Sequence, residues 1–166
     1  MDNNDWSKFT RRIPVNADAQ KIYDLWATPA GLQHWFLRNA RFKSSSGDLR
    51  DANQHIQAGD TYEWSWHGYT DDVQERGTIL EANGRDFFKF IFGKAGVVSV
   101  SLKKQGNQTV VEITQEQIPT DEKSKADYYV GCSVGWTFYL ANLKSLLEGG
   151  IDLRNKEVNI RQVVSS

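Results

Sequence analysis

Three histidines and one cysteine are the side chains in this 166-residue chain best suited to metal binding or nucleophilic chemistry. None of His34, His55 and His67 has another His or a Cys at i+2 to i+4. A zinc site needs convergent ligands, commonly four for structure and three for catalysis, so no metal site is expected. Cys132 sits in an apolar stretch with no basic neighbour to lower its thiol pKa, and reads as an inert small side chain. The Gly-x-Ser-x-Gly elbow is missing, although a Ser–His–Asp group assembled from distant positions would leave no local mark. Neither Gly-x-Gly-x-x-Gly nor Gly-x-x-x-x-Gly-Lys occurs, which removes the familiar phosphate loops. No catalytic residue and no cofactor is assigned.

The informative anomaly is Gly131-Cys132-Ser133-Val134-Gly135, inside what reads as a long apolar helix. A glycine in a helix interior costs about 1 kcal/mol relative to alanine. Gly131 and Gly135 are one turn apart and share a face, with Cys132 beside it. The missing side chains leave space between this helix and whatever it packs on. Two occupants fit that space: an aromatic ring such as Trp64, Trp66 or Phe90, or a ligand admitted past Trp35 and Phe36. Ligand pockets are mostly apolar with a few polar groups that orient the guest. Glu63, Arg76 and Tyr128 are the candidate orienters, and a buried Glu63 would need a partner.

Periodicity supplies the elements that must position these residues. Residues 7–15 alternate as a first strand, with Phe9, Ile13 and Val15 among its apolar positions. Ala19, Ile22, Tyr23 and Trp26 then fall at helical spacing, with Asn16 or Asp18 as N-cap. Thr28-Pro29 restarts the helix over about residues 29–36, Thr capping and Pro in the first turn. Residues 37–45 read as a second strand and residues 44–59 as a polar loop. Tyr62, Trp64 and Trp66 share one strand face, and Thr61, Glu63 and Ser65 the other. Strands follow over 73–80, through Phe88, Phe90 and Phe92, through Val98, Val100 and Leu102, and through Thr109, Val111 and Ile113, with turns at Asn83-Gly84 and Gly106-Asn107. Short strands joined this way form an antiparallel meander.

After Pro119, one stripe carries Tyr129, Ser133, Trp136, Leu140, Leu143 and Leu147, and a second carries Val130, Val134, Phe138 and Ala141. So wide an apolar surface predicts a helix embraced on more than one side, ended by Gly149-Gly150. Trp26, Trp136, Leu140 and Leu143 are assigned to the core. The expected fold is α+β: a curved antiparallel sheet of six or seven strands around a long C-terminal helix, with two short helices after the first strand, over residues 7–150. The tail, 151–166, carries Val158, Ile160 and Val163 and suits an added edge strand, a subunit contact giving a homodimer, or a loosely docked terminus.

Composition narrows the classes. Twenty basic and 21 acidic side chains give a formal charge of −1, unlike the concentrated positive surface of nucleic-acid binders. No apolar run approaches the roughly 20 residues of a membrane span. Met1-Asp-Asn-Asn-Asp5 has no basic or apolar signal region, and a single cysteine excludes a disulfide framework. The cytoplasm is the expected location. Aromatic residues make up 12% of the chain, which suits a core and a pocket wall equally.

Several of these segments occur together in order. Ile22-Tyr23-x-x-Trp26-x-Thr28-Pro29-x-Gly31-Leu32-x-x-Trp35-Phe36, the turn at Gly59, Gly77-Thr-Ile-Leu-Glu81 and Gly135-Trp136-x-x-x-Leu140-x-x-Leu143-Lys144 resemble the SRPBCC superfamily (START-like, birch-pollen-allergen-like). Within it they resemble the AHSA type, related to the C-terminal domain of the heat-shock-protein ATPase activator. The resemblance covers about residues 7–150 and implies a helix-grip fold. Its members include lipid and hormone carriers, polyketide cyclases and co-chaperone domains. The N-terminal domain of the activators has no counterpart in this sequence. The first expectation is therefore an apolar small molecule, lipid or aromatic, held without covalent chemistry. An enzyme of the cyclase or hydrolase type would need one of Glu63, Glu75, Arg76 or His67 inside the cavity. A chaperone-contacting module is the third reading.

Overall fold

Strict alternation marks the first strand, β1 (Phe9–Val15), in which Phe9 and Val15 are buried while Thr10, Arg12 and Pro14 are exposed. The computed structural model describes residues 3–164. Met1 and Asp2 of the N-terminal reading, and Ser165 and Ser166 of the tail, lie outside the described residues.

The period then changes to helical. In α1 (Ala19–Ala27) Asp18 is the N-cap, its carboxylate accepting the Gln20 N–H at 2.9 Å. Ile22, Tyr23 and Trp26 form its buried face. Thr28 caps α2 (Pro29–Trp35) through a 3.0 Å bond from the Gly31 N–H, and Pro29 occupies the first turn, where no N–H is needed.

Six further strands follow: β2 (Asn39–Lys43), β3 (Thr61–Ser65), β4 (Glu75–Ala82), β5 (Phe87–Ile91), β6 (Val97–Gln105) and β7 (Gln108–Glu116). They form one seven-stranded sheet in the order β1-β7-β6-β5-β4-β3-β2, each neighbour antiparallel. From β2 onward this is a meander, and only the β1–β7 pairing joins distant parts of the chain. A break in register between Ile79 and Glu81 bends β4 against β5. Gly77 permits another close approach: a Cβ there would lie 2.3 Å from the Ile91 carbonyl oxygen and 2.6 Å from the Tyr62 hydroxyl. The Tyr62 phenol crosses this bare position and donates to that carbonyl at 2.6 Å.

The last helical region differs from the expected single helix. A short turn, α3 (Glu122–Ser124), leads into a π-helical segment, Lys125–Val130, which passes into α4 (Gly131–Leu147). The Gly131 N–H reaches back to Ala126, closing the wider π-type turn. Trp136, Leu140 and Leu143 are buried, as expected of them. The second stripe corrects the expectation of a helix embraced all round. Val130, Val134 and Ala141 face solvent, because sheet and short helices cover one side of α4, while the other meets little more than Arg11 and Val164 among the described residues.

The tail is docked irregularly, and no strand forms among residues 151–164. Asn142, fully buried, donates to the Trp35 carbonyl at 2.7 Å and accepts the Leu153 N–H at 2.7 Å. Arg154 donates to the carbonyls of Gln33, His34 and Leu37 at 3.2, 2.8 and 3.1 Å, satisfying groups that the end of α2 leaves unpaired. Its guanidinium also pairs with Asp152 at 2.7 Å. Burial alone would raise the Asp152 pKa, but the hydrogen bonds from Arg154 and Lys156 outweigh it and hold the carboxyl well below the usual range.

Arg154→Met should therefore leave three carbonyls without their donor and the Asp152 carboxylate with only Lys156, Asn142 and a backbone N–H to hold it. Urea denaturation is expected to show a loss of roughly 1–3 kcal/mol, with faster proteolysis confined to residues after 150.

Candidate functional site

The glycine strip of α4 faces open space. A Cβ built on Gly135 has nothing within 4 Å, and one on Gly131 meets only the Ala126 carbonyl oxygen at 3.5 Å. Beside the strip lies a cavity of about 320 Å³. Its inner end is formed by Phe36, Trp136 and Phe92, its sheet wall by Trp66, and its helix wall by Gly131, Cys132, Gly135 and Tyr139. Tyr69 and Val73, from the loop between β3 and β4, and Asp127, from the π-helical segment, complete the lining. These last three are exposed and mark the mouth.

Trp136 holds the cavity open. Its indole N–H donates to the Gln115 side-chain oxygen at 2.9 Å, and the Gln115 amide donates to the Ala95 carbonyl at 2.9 Å. Both side chains are buried, so the indole is pinned between helix and sheet. Phe36 stacks on it at 5.1 Å and contacts Tyr139 edge-on at 4.9 Å. Rings so interlocked rotate little, and the empty strip beside them cannot collapse without moving them.

Of the eleven residues expected to bind a ligand, five line this cavity: Phe36, Trp66, Gly131, Cys132 and Gly135. Three others support it from behind. Trp35 packs on Trp26 at 4.5 Å and on Phe36 at 5.2 Å, and its N–H donates to the Leu25 carbonyl at 2.9 Å. Trp64 and Phe90 are buried 5.2 Å apart, with Trp64 touching Phe36 edge-on at 5.6 Å. Trp35 and Phe36 are wholly inside, so entry past them is corrected: the mouth lies between the β3–β4 loop and the π-helical segment.

Glu63 and Arg76 are also corrected. They stand opposite each other in the β3–β4 register and pair at 3.0 Å on the outer face of the sheet. Period-2 alternation explains this, since the inner face takes Tyr62 and Trp64 and leaves Glu63 outside. Tyr128 lies outside the cavity too, against Glu75, Gly93 and Lys94 in a neighbouring depression. His67 is not in the lining; burial, followed by the nearby Arg154, lowers its pKa.

Tyr69, Val73, Phe92, Asp127, Trp136 and Tyr139 were not predicted as lining residues. Phe92 continues the alternation of Phe88 and Phe90, and Tyr139 follows Gly135 by one helical turn, so both left a trace in the pattern. Tyr69 and Val73 belong to an irregular loop and left none.

Behind the Asp127 carboxylate at the mouth, the chemistry available in the cavity is that of a neutral apolar host. Burial pushes the Cys132 thiol up, a hydrogen bond with Gln115 notwithstanding, so the reactive thiolate is disfavoured. Burial likewise raises the Tyr139 phenol. Among the described residues no group of three or more His, Cys, Asp or Glu could hold a metal ion. No helix among them is long and apolar enough to cross a membrane.

Comparisons with known proteins agree with this architecture. A protein of Staphylococcus saprophyticus is 18% identical, with a TM-score of 0.68 over 89% of this chain and 96% of its own. An Aha1 dimer from Colwellia psychrerythraea is 19% identical, with a TM-score of 0.65 over 86% and 97%. A protein of Arthrobacter aurescens is 17% identical, with a TM-score of 0.64 over 90% and 92%. Identities this low carry the fold and not the activity. No curated protein matches the chain. The family described as Activator of Hsp90 ATPase homolog 1-like protein matches residues 16–148, most of the chain. The chain therefore belongs to that AHSA-type family of the SRPBCC superfamily, with the helix-grip fold its sequence resembled.

Proposed function

We propose that this domain binds an apolar small molecule in the cavity between α4 and the sheet, without covalent chemistry. The observation that carries the reading is Gly135, whose missing side chain opens on a space of about 320 Å³ walled by aromatic rings. That volume lies at the lower end of ligand pockets, roughly 300–1,000 Å³, so a compact aromatic fits better than a two-chain lipid. A helix gives up stability at two glycines, and a host site is the use that offsets this loss.

One observation bears on the enzyme alternative. Glu75 stands opposite Trp64 in the register and so shares the inner face of the sheet. Burial raises its pKa against a backbone bond from Arg76. It lies in the depression beside Tyr128 rather than in the cavity lining, which favours binding over proton transfer there. Contact with a chaperone rests on the family description alone. A homodimer has more behind it: the π-helical segment and α4 bear no charged side chain between Asp127 and Lys144, and Val130 and Val134 on their outer face are about half exposed. The Colwellia neighbour is described as a dimer.

The neutral probe N-phenyl-1-naphthylamine should brighten saturably at one molecule per chain. Gly135→Leu should keep the native circular dichroism and weaken that binding by about tenfold or more, and an unchanged titration would sink the reading. Gly135→Ala should raise stability by up to about 1 kcal/mol in urea, since nothing crowds the added methyl.

For Glu75, a raised folded-state pKa means that its contribution to stability is fully present below the unfolded pKa, near 4.3, and falls as pH rises through the folded value. Glu75→Gln should accordingly melt higher than the parent at pH 7, with the gap closing as pH approaches 4. For the dimer, sedimentation should give twice the monomer mass, and Val134→Glu should return it to monomer.

A further inference from the structure

We propose that the cavity selects an organic cation: a compact apolar body carrying an ammonium-type charge, with the body among the rings and the charge toward Asp127. The inference rests on the ligand-binding reading of the cavity and adds the chemical class of the guest.

The lining has a one-sided composition. Among the described residues it presents six aromatic rings and one carboxylate, Asp127, but no lysine, arginine or histidine. Faces of Trp, Tyr and Phe rings attract cations through their quadrupoles, and more strongly where water is excluded. A carboxylate or phosphate guest would meet the same faces with its charge repelled and would find no side-chain cation to pair with. Such a guest would also pay for desolvation without a partner.

The cations nearby are engaged elsewhere. Arg38 pairs with Asp71 at 2.6 Å and donates to the Trp66 carbonyl at 3.3 Å. Arg154 is spent on Asp152 and the α2 carbonyls. Lys123 pairs with Asp127 itself, one turn away, with its own side chain 84% exposed. An exposed pair of this kind is held weakly because water screens it, so a guest's cation can displace it. The loop at the mouth adds Asp72 next to Val73, a further negative charge that draws positive guests toward it. The other polar groups of the wall, the Cys132 thiol and the Tyr139 phenol, stay neutral for want of solvent.

The test uses three probes of one shape: (2-naphthylmethyl)trimethylammonium, 2-naphthylmethanol and 2-naphthoate, titrated calorimetrically into the full chain at pH 7. The cation should bind about tenfold more tightly than the alcohol, and the carboxylate should not saturate. Asp127→Asn should weaken the cation at least threefold and leave the alcohol unchanged, whereas Lys123→Ala should strengthen the cation. A carboxylate that binds as well as the cation, or a cation indifferent to Asp127→Asn, overturns the proposal. If the alcohol binds, Gly135→Leu abolishes that binding and the cation shows no advantage, the charge preference falls while the cavity reading stands. If none of the three binds, both fall.

Discussion

A single buried hydrogen bond, from the Trp136 indole to the Gln115 amide, decides how the long helix sits on the sheet. The indole is too large to tuck flat against β7 and too firmly held to swing away, since the Gln115 amide is itself tied to the Ala95 carbonyl. It acts as a wedge one residue after Gly135. On one side of the wedge, Leu140 and Leu143 close onto the core. On the other, two glycines leave the helix bare, and the sheet curves away. The cavity is what remains between them. Close packing is the default in protein interiors, so a persistent void needs a rigid strut of this sort.

Glycine is used in two opposite ways. At Gly77 the bare backbone is covered at once by the Tyr62 phenol, which passes over it to the Ile91 carbonyl. At Gly135 nothing arrives. The difference lies in the neighbours. Tyr62 stands directly opposite Gly77 in the register, whereas the rings facing Gly135 are locked into one another through Phe36, Trp136 and Tyr139. The tail contributes to the same rigidity from behind: Asn142 and Arg154 bind the carbonyls at the end of α2, which fixes the short segment carrying Trp35 and Phe36.

Much of the fold was legible along the chain. Alternation of Tyr62, Trp64 and Trp66, and of Phe88, Phe90 and Phe92, marked sheet faces; Thr28-Pro29 marked a helix start. Those signals are local, because a strand or a cap is set by residues a few positions apart. The π-helical segment was not legible, since its departure from the usual spacing falls among residues that are all partly exposed. The outward stripe of α4 was misjudged for a related reason: apolar residues imply a need for cover, but which side of a helix receives it depends on where the sheet ends.

For the candidate site the division is sharper. The glycine strip, Cys132 and part of the aromatic wall, Phe36 and Trp66, were apparent from residue type and spacing alone. Period-2 alternation already placed Glu63 opposite Trp64's face, and the structure shows it paired outside with Arg76. Only the tertiary structure decided that the strip stays open, that Trp35, Trp64 and Phe90 stand behind the wall rather than in it, and that Asp127, Tyr69 and Val73 form the mouth. The physical reason is that a void is a relation between surfaces distant in sequence. Periodicity says which way a side chain points from its own backbone; only the assembled neighbours determine whether anything meets it there.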